Sequence, residues 1–363
     1  MSTKLTGNGR SRYTPPTNPR KREQAMKQVW VSKKGGPEVL QIRENPEPIP
    51  RSGEVRIRVQ ASGVNFDDIL GRMGQDADAP QIPYVPGCEV AGVVDAVAQG
   101  SVDLKEGDLV LAAMRFGGYS DVVCVPHKQV FKRFDWMSPE DGAAIPVSYL
   151  TAYQMLVVMG SLRPDDKVLI HAAAGGLGLA ALDICRIIGA ETFGTASPEK
   201  HDFLRERGLD HPIDYRNYDY ERVLMDLTAG KGVQIVLDSL GGVHWQKNYR
   251  LLLPTGRLVY VGASSLAGSD RGLWLQKALA FIKTPVHTPG QLMRENKAVV
   301  GVNLGRMWDH AHLPRSWMAQ IVAWYDEALF RPYVDKVFKF EEAAAAHQYI
   351  QERKNKGKVL LKP

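Results

Sequence analysis

The sequence has few cysteines and no long apolar run, and each absence excludes a class of protein. Its three cysteines, Cys88, Cys124 and Cys185, lie far apart, which indicates a reduced cytoplasmic protein rather than a disulfide framework. No apolar stretch approaches the roughly 18 residues of a membrane-spanning helix. The charged first residues are not followed by an apolar core, so they do not predict a secretory signal.

Charge is unevenly distributed. The formal net charge is +6, and residues 1–27 carry seven Lys and Arg against one Glu, so this segment holds the whole surplus. We predict a flexible basic tail at residues 1–25, because its Pro, Ser, Thr and Asn cannot bury enough apolar surface to order it. A solvated leader and a contact with acidic lipid or nucleic acid both remain open. The near-neutral remainder argues against a nucleic-acid-binding body.

Residues 167–196 have a pattern that predicts a strand, a tight turn, a helix and a second strand. Their sequence is KVLIHAAAGGLGLAALDICRIIGAETFGTA. Glycines in such a turn let the backbone approach a pyrophosphate, and the following helix offers unpaired N–H groups to it. Ala173 stands where the usual fingerprint has its first glycine. The pattern predicts a dinucleotide site at Ala174, Gly175, Gly176, Leu177 and Gly178. A turn required only for packing is the alternative.

The end of the second strand indicates which dinucleotide binds. An NAD site has an acidic residue near this point, which would repel a 2′-phosphate. Here the strand runs into Ser197, with Lys200 close behind, and a hydroxyl and a cation favour NADPH. Glu199 lies between them. In the alternative, Ser197 only caps the next helix and Lys200 is solvated.

The chain has two parts with different patterns of secondary structure. Up to about residue 149 short strands dominate, as where Val55, Ile57 and Val59 alternate with charged residues, and they predict a compact β domain. After it, strands alternate with helices, which predicts a parallel sheet covered on both faces. The predicted elements include helices at 199–207, 220–227 and 245–253 and strands at 257–261 and 299–304. Ligands bind at the carboxyl ends of such strands, where the 238–242 and 262–264 loops lie. The apolar segment 273–283 could be a lid, a membrane-touching face, a dimer element or an ordinary packed helix.

Several motifs in one order carry a resemblance: ASGVNFDDILGRMG, PYVPGCEVAGVV, HAAAGGLG, FGTAS, HPIDY, VLDSLGG, GRLVYVGAS and VGVNLG. Together they resemble the medium-chain dehydrogenase/reductase superfamily, in its zinc-free quinone oxidoreductase (ζ-crystallin-like) group, near the vesicle amine transport protein homologues. The resemblance implies an α/β protein. A GroES-like β-barrel domain would span 26–149 and 306–363, and a Rossmann doubly wound parallel-sheet domain 150–305.

The same resemblance implies a metal-free site. Zinc-dependent members have a Cys at the position of Asn65 and a His at the position of Cys88, and catalytic zinc needs three protein ligands. Without zinc, the chemistry expected is hydride transfer from NADPH to an α,β-unsaturated carbonyl or a quinone, whose own carbonyl accepts the developing charge. Leu70 and Asp76 replace tyrosines of quinone oxidoreductases, which weakens a simple quinone specificity.

Roles for individual residues follow from the resemblance. Asn65 would lie near the nicotinamide ribose and the substrate, Asp68 would shape that loop, and Tyr149 would either donate to the substrate oxygen or bond to backbone as a buried hydroxyl. Asn65 as an ordinary turn residue is the alternative from sequence alone. The remaining residues implied to contact the cofactor are Thr151, Ser197, Lys200, Tyr215, Ser239, Leu240, Gly262, Ser264, Val302 and Leu304.

The resemblance also implies a homodimer, paired through the strand at 299–303. Two other functions stay open. One is an enoyl-thioester reductase, although no basic cluster outside the tail offers a groove for a carrier phosphate. The other is a non-catalytic nucleotide-binding protein that contacts lipid through the tail and the 273–283 segment as a peripheral membrane protein.

Overall fold

The computed structural model describes residues 25–266 and 285–363. The predicted basic tail, apart from Ala25, and the 273–283 segment lie outside these residues. Within the described ranges, no helix is long and apolar enough to cross a membrane.

The first domain is built on a mostly antiparallel sheet that the chain enters twice, with one parallel pair of strands at its edge. Its seven-stranded sheet has the order β14-β15-β3-β4-β5-β7, with β6 paired to β3, while β1 and β2 form a separate hairpin. Val55 and Ile57 on β3 are fully buried, as the alternating pattern predicted. The strands and helices of this domain are β1 Ala25–Val31, β2 Leu40–Pro46, β3 Glu54–Val64, α1 Phe66–Arg72, β4 Glu89–Val97, β5 Leu109–Ala113, β6 Val122–Pro126, β7 Val130–Lys132, α2 Pro139–Ala144, β14 Val334–Lys339, α10 Ala343–Gln351 and β15 Lys358–Lys362.

The second domain is a six-stranded parallel sheet in the order β10-β9-β8-β11-β12-β13. Its strands are β8 Lys167–Ile170, β9 Glu191–Ala196, β10 His211–Asp214, β11 Val233–Asp238, β12 Leu252–Tyr260 and β13 Ala298–Gly301. The helices of this part of the chain are α3 Pro146–Tyr153, which continues as a π-helix over Gln154–Met159, then α4 Gly176–Ile188, α5 His201–Glu206, α6 Tyr220–Leu227, α7 His244–Arg250, α8 Pro289–Glu295 and α9 His312–Asp326.

Helices cover both faces of this sheet. Val168 and Ile170 of β8 pack with α4 on one side, while Leu169 packs with residues of α6 and α7 on the other. This is the alternation expected of a strand that is buried on both faces. The predicted architecture, a GroES-like domain joined to a doubly wound Rossmann sheet, is confirmed.

Three predicted element boundaries are wrong. The helix expected over 245–253 ends at Arg250, because Leu252 already pairs with Val233 as the start of β12. The Pro254–Gly256 stretch lies within this strand and is accommodated by a left-handed Thr255, with φ of 73°. The strand expected over 299–304 ends at Gly301, and Leu304 begins a short 3₁₀ helix. The helix expected from 199 begins as a 3₁₀ turn, and α5 follows at His201.

Candidate active site

The glycine turn lies between β8 and α4, at the carboxyl edge of the parallel sheet. A Cβ atom at Gly178 would lie 2.5 Å from the carbonyl oxygens of both Ala172 and Ala173, so no larger residue fits there. The N-cap residue of α4 is Gly175, and no side chain caps the helix. The first-turn N–H groups of α4 are therefore left for another acceptor, which is the arrangement that binds phosphate.

The end of the chain passes directly beside this turn. The N–H of Gly357 donates to the carbonyl of Ala174 at 2.6 Å, and Gly357 forms a parallel bridge with Gly175. The next residue, Lys358, is 4% exposed. A Cβ at Gly176 would lie 3.3 Å from its Cδ atom. A buried lysine of the first domain thus lies beside the glycine turn of the second.

Lys358 belongs to a buried ion cluster with Glu89 and Asn65. Its Nζ lies 2.5 Å from Oε1 of Glu89, which is fully buried, and donates to Oδ1 of Asn65 at 2.6 Å. The amide of Asn65 donates to the same Glu89 oxygen at 2.8 Å, and the N–H of Val147 donates to Oε2 at 2.7 Å. The structure therefore places Asn65 between the two domains. Glu89 and Lys358 were not singled out from the sequence, although Glu89 lies in the PYVPGCEVAGVV motif.

Asp68 holds the loop around Asn65. Its carboxylate accepts from the N–H of Asn65 at 2.8 Å, the N–H of Gly87 at 2.9 Å and the hydroxyl of Tyr119 at 3.0 Å. Burial raises the pKa of Asp68 to about 6, although these hydrogen bonds oppose the shift. Cys88 lies beside it and donates to the carbonyl of Arg115 at 3.1 Å. Nowhere in residues 25–266 and 285–363 do three His, Cys, Asp or Glu side chains converge as metal ligands.

Tyr149 lies in the core with its hydroxyl engaged. It donates to Oδ2 of Asp183 at 2.8 Å, and its ring stacks on Phe330 with centroids 4.3 Å apart. The partner is thus a carboxylate and not the backbone group considered from the sequence. These contacts offer no support for donation to a substrate, so that role stays a prediction. Thr151, on the same helix, is 8% exposed.

Lys200 is buried, contrary to the alternative in which it is solvated. Its ammonium donates to the carbonyls of Arg353 and Asn355 at 2.7 and 2.6 Å, and burial lowers its pKa. Arg353 in turn donates to the hydroxyl of Tyr215 at 3.3 Å. The loop between α10 and β15 therefore brings Arg353 to the residues predicted for a 2′-phosphate. Ser197, at the end of β9, is 5% exposed. No local signal in the sequence indicated that this distant loop reaches the site.

The loops after β11 and β12 contact each other. Asp238 accepts from the N–H groups of Leu240 and Gly241 at 2.8 and 2.9 Å, which fixes the 239–241 loop. Ser264 donates through its hydroxyl to the carbonyl of Ser239 at 2.7 Å. Beside them, a Cβ at Gly262 would meet only atoms of Ser239, at 3.6 Å or more. The structure thus gathers four predicted cofactor residues at one edge of the sheet.

The segment after β13 is held by the first domain. Val302 and Leu304 are each 8% exposed. The side chains of Arg306 and Asn303 both bond to Asp78, and Arg115 donates to the carbonyl of Gly305 at 2.9 Å. Residues predicted to line the nicotinamide therefore lie where the two domains meet.

Two family models match the chain. Residues 51–135 match the alcohol dehydrogenase GroES-like domain, and residues 207–361 match the zinc-binding dehydrogenase model. The mouse synaptic vesicle membrane protein VAT-1 homolog is 43% identical over 326 residues, covering 89% of this chain and 80% of that protein. Human quinone oxidoreductase is 30% identical over 343 residues, covering 93% of this chain and 98% of that protein.

A solved structure agrees with these matches. The crystal structure of human synaptic vesicle membrane protein VAT-1 homolog-like protein superimposes with a TM-score of 0.81 at 32% identity, covering 93% of this chain and 98% of that one. The sequence, the domain pairing and the glycine turn at the edge of the sheet all agree. The chain belongs to the medium-chain dehydrogenase/reductase family, close to the VAT-1 homologues and quinone oxidoreductases.

Proposed function

We propose that the protein is a zinc-independent, NADPH-dependent oxidoreductase that reduces α,β-unsaturated carbonyls or quinones by hydride transfer. One observation carries the proposal: the buried cluster of Asn65, Glu89 and Lys358 lies against the glycine turn at the start of α4. It joins a cation, an amide and a set of backbone donors where the two domains meet. A dinucleotide that lies across this junction would reach all three.

The residues present fit a pyrophosphate. The uncapped first turn of α4 supplies N–H donors and the positive end of a helix dipole. The Lys358 ammonium, which already contacts one carboxylate and one amide oxygen, adds a point charge close to Gly176. Backbone donors together with a cation are the usual means of holding a phosphate in a protein. We therefore assign the pyrophosphate to this turn.

Three residues support a preference for the 2′-phosphate. Lys200, Tyr215 and Arg353 lie together, linked by the contacts of Lys200 with the carbonyl of Arg353 and of Arg353 with Tyr215. The two carbonyls that hold Lys200 neutralise none of its charge, so its field still favours an anion nearby. The Arg353 guanidinium has further N–H donors in a geometry suited to phosphate.

NADPH, when bound, supplies the hydride, and the chain's own residues hold the substrate and its developing charge. The amide nitrogen of Asn65 carries a second hydrogen besides the one given to Glu89, and we assign this donor to the ribose or the substrate oxygen. Glu89 and Lys358 keep that amide in one orientation. An enone or quinone carries the negative charge on its own oxygen, so a fixed donor can stabilise it there.

Cofactor titration tests the proposal. Purified protein is titrated with NADPH and NADH, and NADPH oxidation is then followed with a broad panel of enones and quinones. We expect tighter binding of NADPH. Arg353→Gln should weaken NADPH by roughly tenfold, the effect of one lost charge-assisted bond, and should leave NADH unchanged. Lys354→Gln, in the same loop but paired with Glu352, is the matched control.

Equal affinity for the two cofactors in the wild type would contradict the assigned 2′-phosphate site. Binding of NADPH with no turnover of any enone or quinone would contradict the assigned reaction and would favour a non-catalytic role. An active enzyme limited to enoyl thioesters would support the alternative reductase.

Membrane contact is a second candidate function, because the similar mouse protein is named a synaptic vesicle membrane protein. We propose that the basic residues 1–25 would supply this contact by attraction to acidic lipid. Sedimentation with phosphatidylserine liposomes, with and without these residues, tests it. Equal sedimentation of both forms, or of neither, would remove the tail from this role.

A further inference from the structure

A connected set of buried polar side chains lies beneath the carboxyl edge of the parallel sheet. Its members are at most 5% exposed, and of these only Asp238 was described above, as the residue that fixes the 239–241 loop. They are His171, Thr195, Tyr220, Asp238 and Asn248. Burying so many polar groups is costly unless every one is hydrogen-bonded, and here each has at least one partner within the set.

Asn248, on α7, is the centre of this network. Its amide nitrogen donates to Oδ2 of Asp238 at 2.8 Å, and its Oδ1 accepts from the hydroxyl of Tyr220 at 3.0 Å. The same oxygen lies 2.9 Å from Nε2 of His171. Because that oxygen can only accept, Nε2 carries the proton of a neutral imidazole. Nδ1 of His171 is then left to accept from the Thr195 hydroxyl, 3.0 Å away.

Each arm of the network ends on a loop of the candidate site. On one side, the Thr195 oxygen accepts from the N–H of Ala172 at 3.3 Å, at the entrance of the glycine turn. On the other side, Asp238 accepts from the N–H groups of Leu240 and Gly241. Asn248 is therefore the residue through which these two loops are joined by side-chain hydrogen bonds.

We propose that Asn248 is a positioning residue for the dinucleotide, which sets the spacing between the glycine turn and the 239–241 loop. It touches neither the cofactor nor the substrate and acts through His171 and Asp238. The proposal rests on the proposed function, because the dinucleotide is the ligand that both loops would hold. A hydrogen-bonded network fixes this spacing better than apolar packing does, because each donor and acceptor tolerates little displacement.

The test separates affinity from stability. Asn248→Leu keeps the branched shape of the side chain but removes the partner of Oδ2 of Asp238 and of Nε2 of His171, and we expect NADPH binding to weaken by about tenfold. The KM for NADPH should rise in parallel, while kcat at saturating NADPH changes little. Thr195→Val should weaken NADPH in the same direction, and Thr195→Ser, which keeps the hydroxyl, should restore it. The Val and Ser variants of Thr195 decide the question if Asn248→Leu does not fold.

Thr228→Val is the control. Thr228 is 5% exposed, donates to the carbonyl of Leu224 at 2.9 Å and accepts from the N–H of Gly232 at 3.0 Å, at the opposite edge of the sheet. It should lower stability without changing NADPH affinity. If the wild type binds NADPH, and Asn248→Leu and Thr195→Val bind it with the same affinity, the inference about Asn248 is overturned while the proposed function still stands. Failure of the wild type to bind NADPH or NADH would overturn the proposed function as well.

Discussion

The ion pair between Glu89 and Lys358 gives the sharpest prediction, since its two members should have separable effects. Both side chains are buried, at 0% and 5% exposure, and lie 2.5 Å apart. Removing one partner from a buried pair leaves an uncompensated charge and costs about 3–5 kcal/mol. We therefore expect Glu89→Gln and Lys358→Met each to lower the free energy of unfolding by this amount.

The two variants should differ in cofactor binding. Lys358→Met removes the cation beside the glycine turn and should weaken NADPH by roughly ten- to a hundredfold, the range of a charge-assisted hydrogen bond. Glu89→Gln retains the cation and removes a competing carboxylate, so its affinity for NADPH should not fall. The double variant, with no buried charge left, should recover part of the lost stability.

Urea denaturation and NADPH titration of the four proteins provide the double-mutant cycle. Glu341→Gln is the control, because its contact with Lys27 joins two side chains that are 51% and 47% exposed, and its loss should leave stability unchanged. Strictly additive losses of stability would refute the coupling between Glu89 and Lys358. Equal effects of both single variants on NADPH would refute the assignment of Lys358 to the pyrophosphate.

Two further predictions concern other parts of the chain. Burial and the neighbouring Arg72 lower the pKa of His347 to about 3 from its ordinary 6.5, so its contribution to stability is present above about pH 6.5 and lost as the pH falls toward 3. In His347→Gln, the free energy of unfolding should therefore depend less on pH between these values. Urea titrations at several pH values measure this dependence, and an unchanged slope in the variant would contradict the prediction. Strand β13 is the edge of its sheet in the described ranges, and a Cβ at Gly301 meets nothing within 4 Å. Gly301→Pro should therefore block the pairing of this strand with a second copy of the chain. Light scattering should then report a monomer. Gly290→Pro, at an equally open position on α8, should leave the oligomeric state of the wild type unchanged, and a monomeric wild type would contradict the dimer that the resemblance implies.

Local patterns in the sequence predicted elements well where one physical signal dominated. The predicted helix over 220–227 has the bounds observed for α6, and Gly189 ends α4 in the left-handed conformation, with φ of 92°. Alternation in β3 and glycine-led turns were equally reliable, because they depend on residues close in the chain. The β12 strand was misread at its start because Pro254 and Gly256 resemble a break, whereas they lie in an irregularity between two stretches of the strand, Leu252 and Arg257–Tyr260, that both pair with β11.

The candidate site was only partly predictable, since its contacts join distant segments. Asn65 and Lys200 were singled out, but nothing local showed that one would meet Lys358 and the other the backbone of Arg353. Tyr149 was considered as a donor because it opens the second domain close to the expected nicotinamide, and its partner Asp183 is visible only once α3 packs on α4. Long-range partners depend on tertiary packing, which neither periodicity nor turn chemistry encodes.

The position of β15 has a consequence for the order in which the protein is assembled during synthesis. This strand lies inside the first domain, between β14 and β3, and four of its five residues are buried. The ribosome makes Lys358–Lys362 only after the entire parallel sheet has emerged. The domain that is started first is thus completed last, and until then Ser62–Val64 of β3 lack their partner strand and form an open sheet edge of the kind that promotes aggregation.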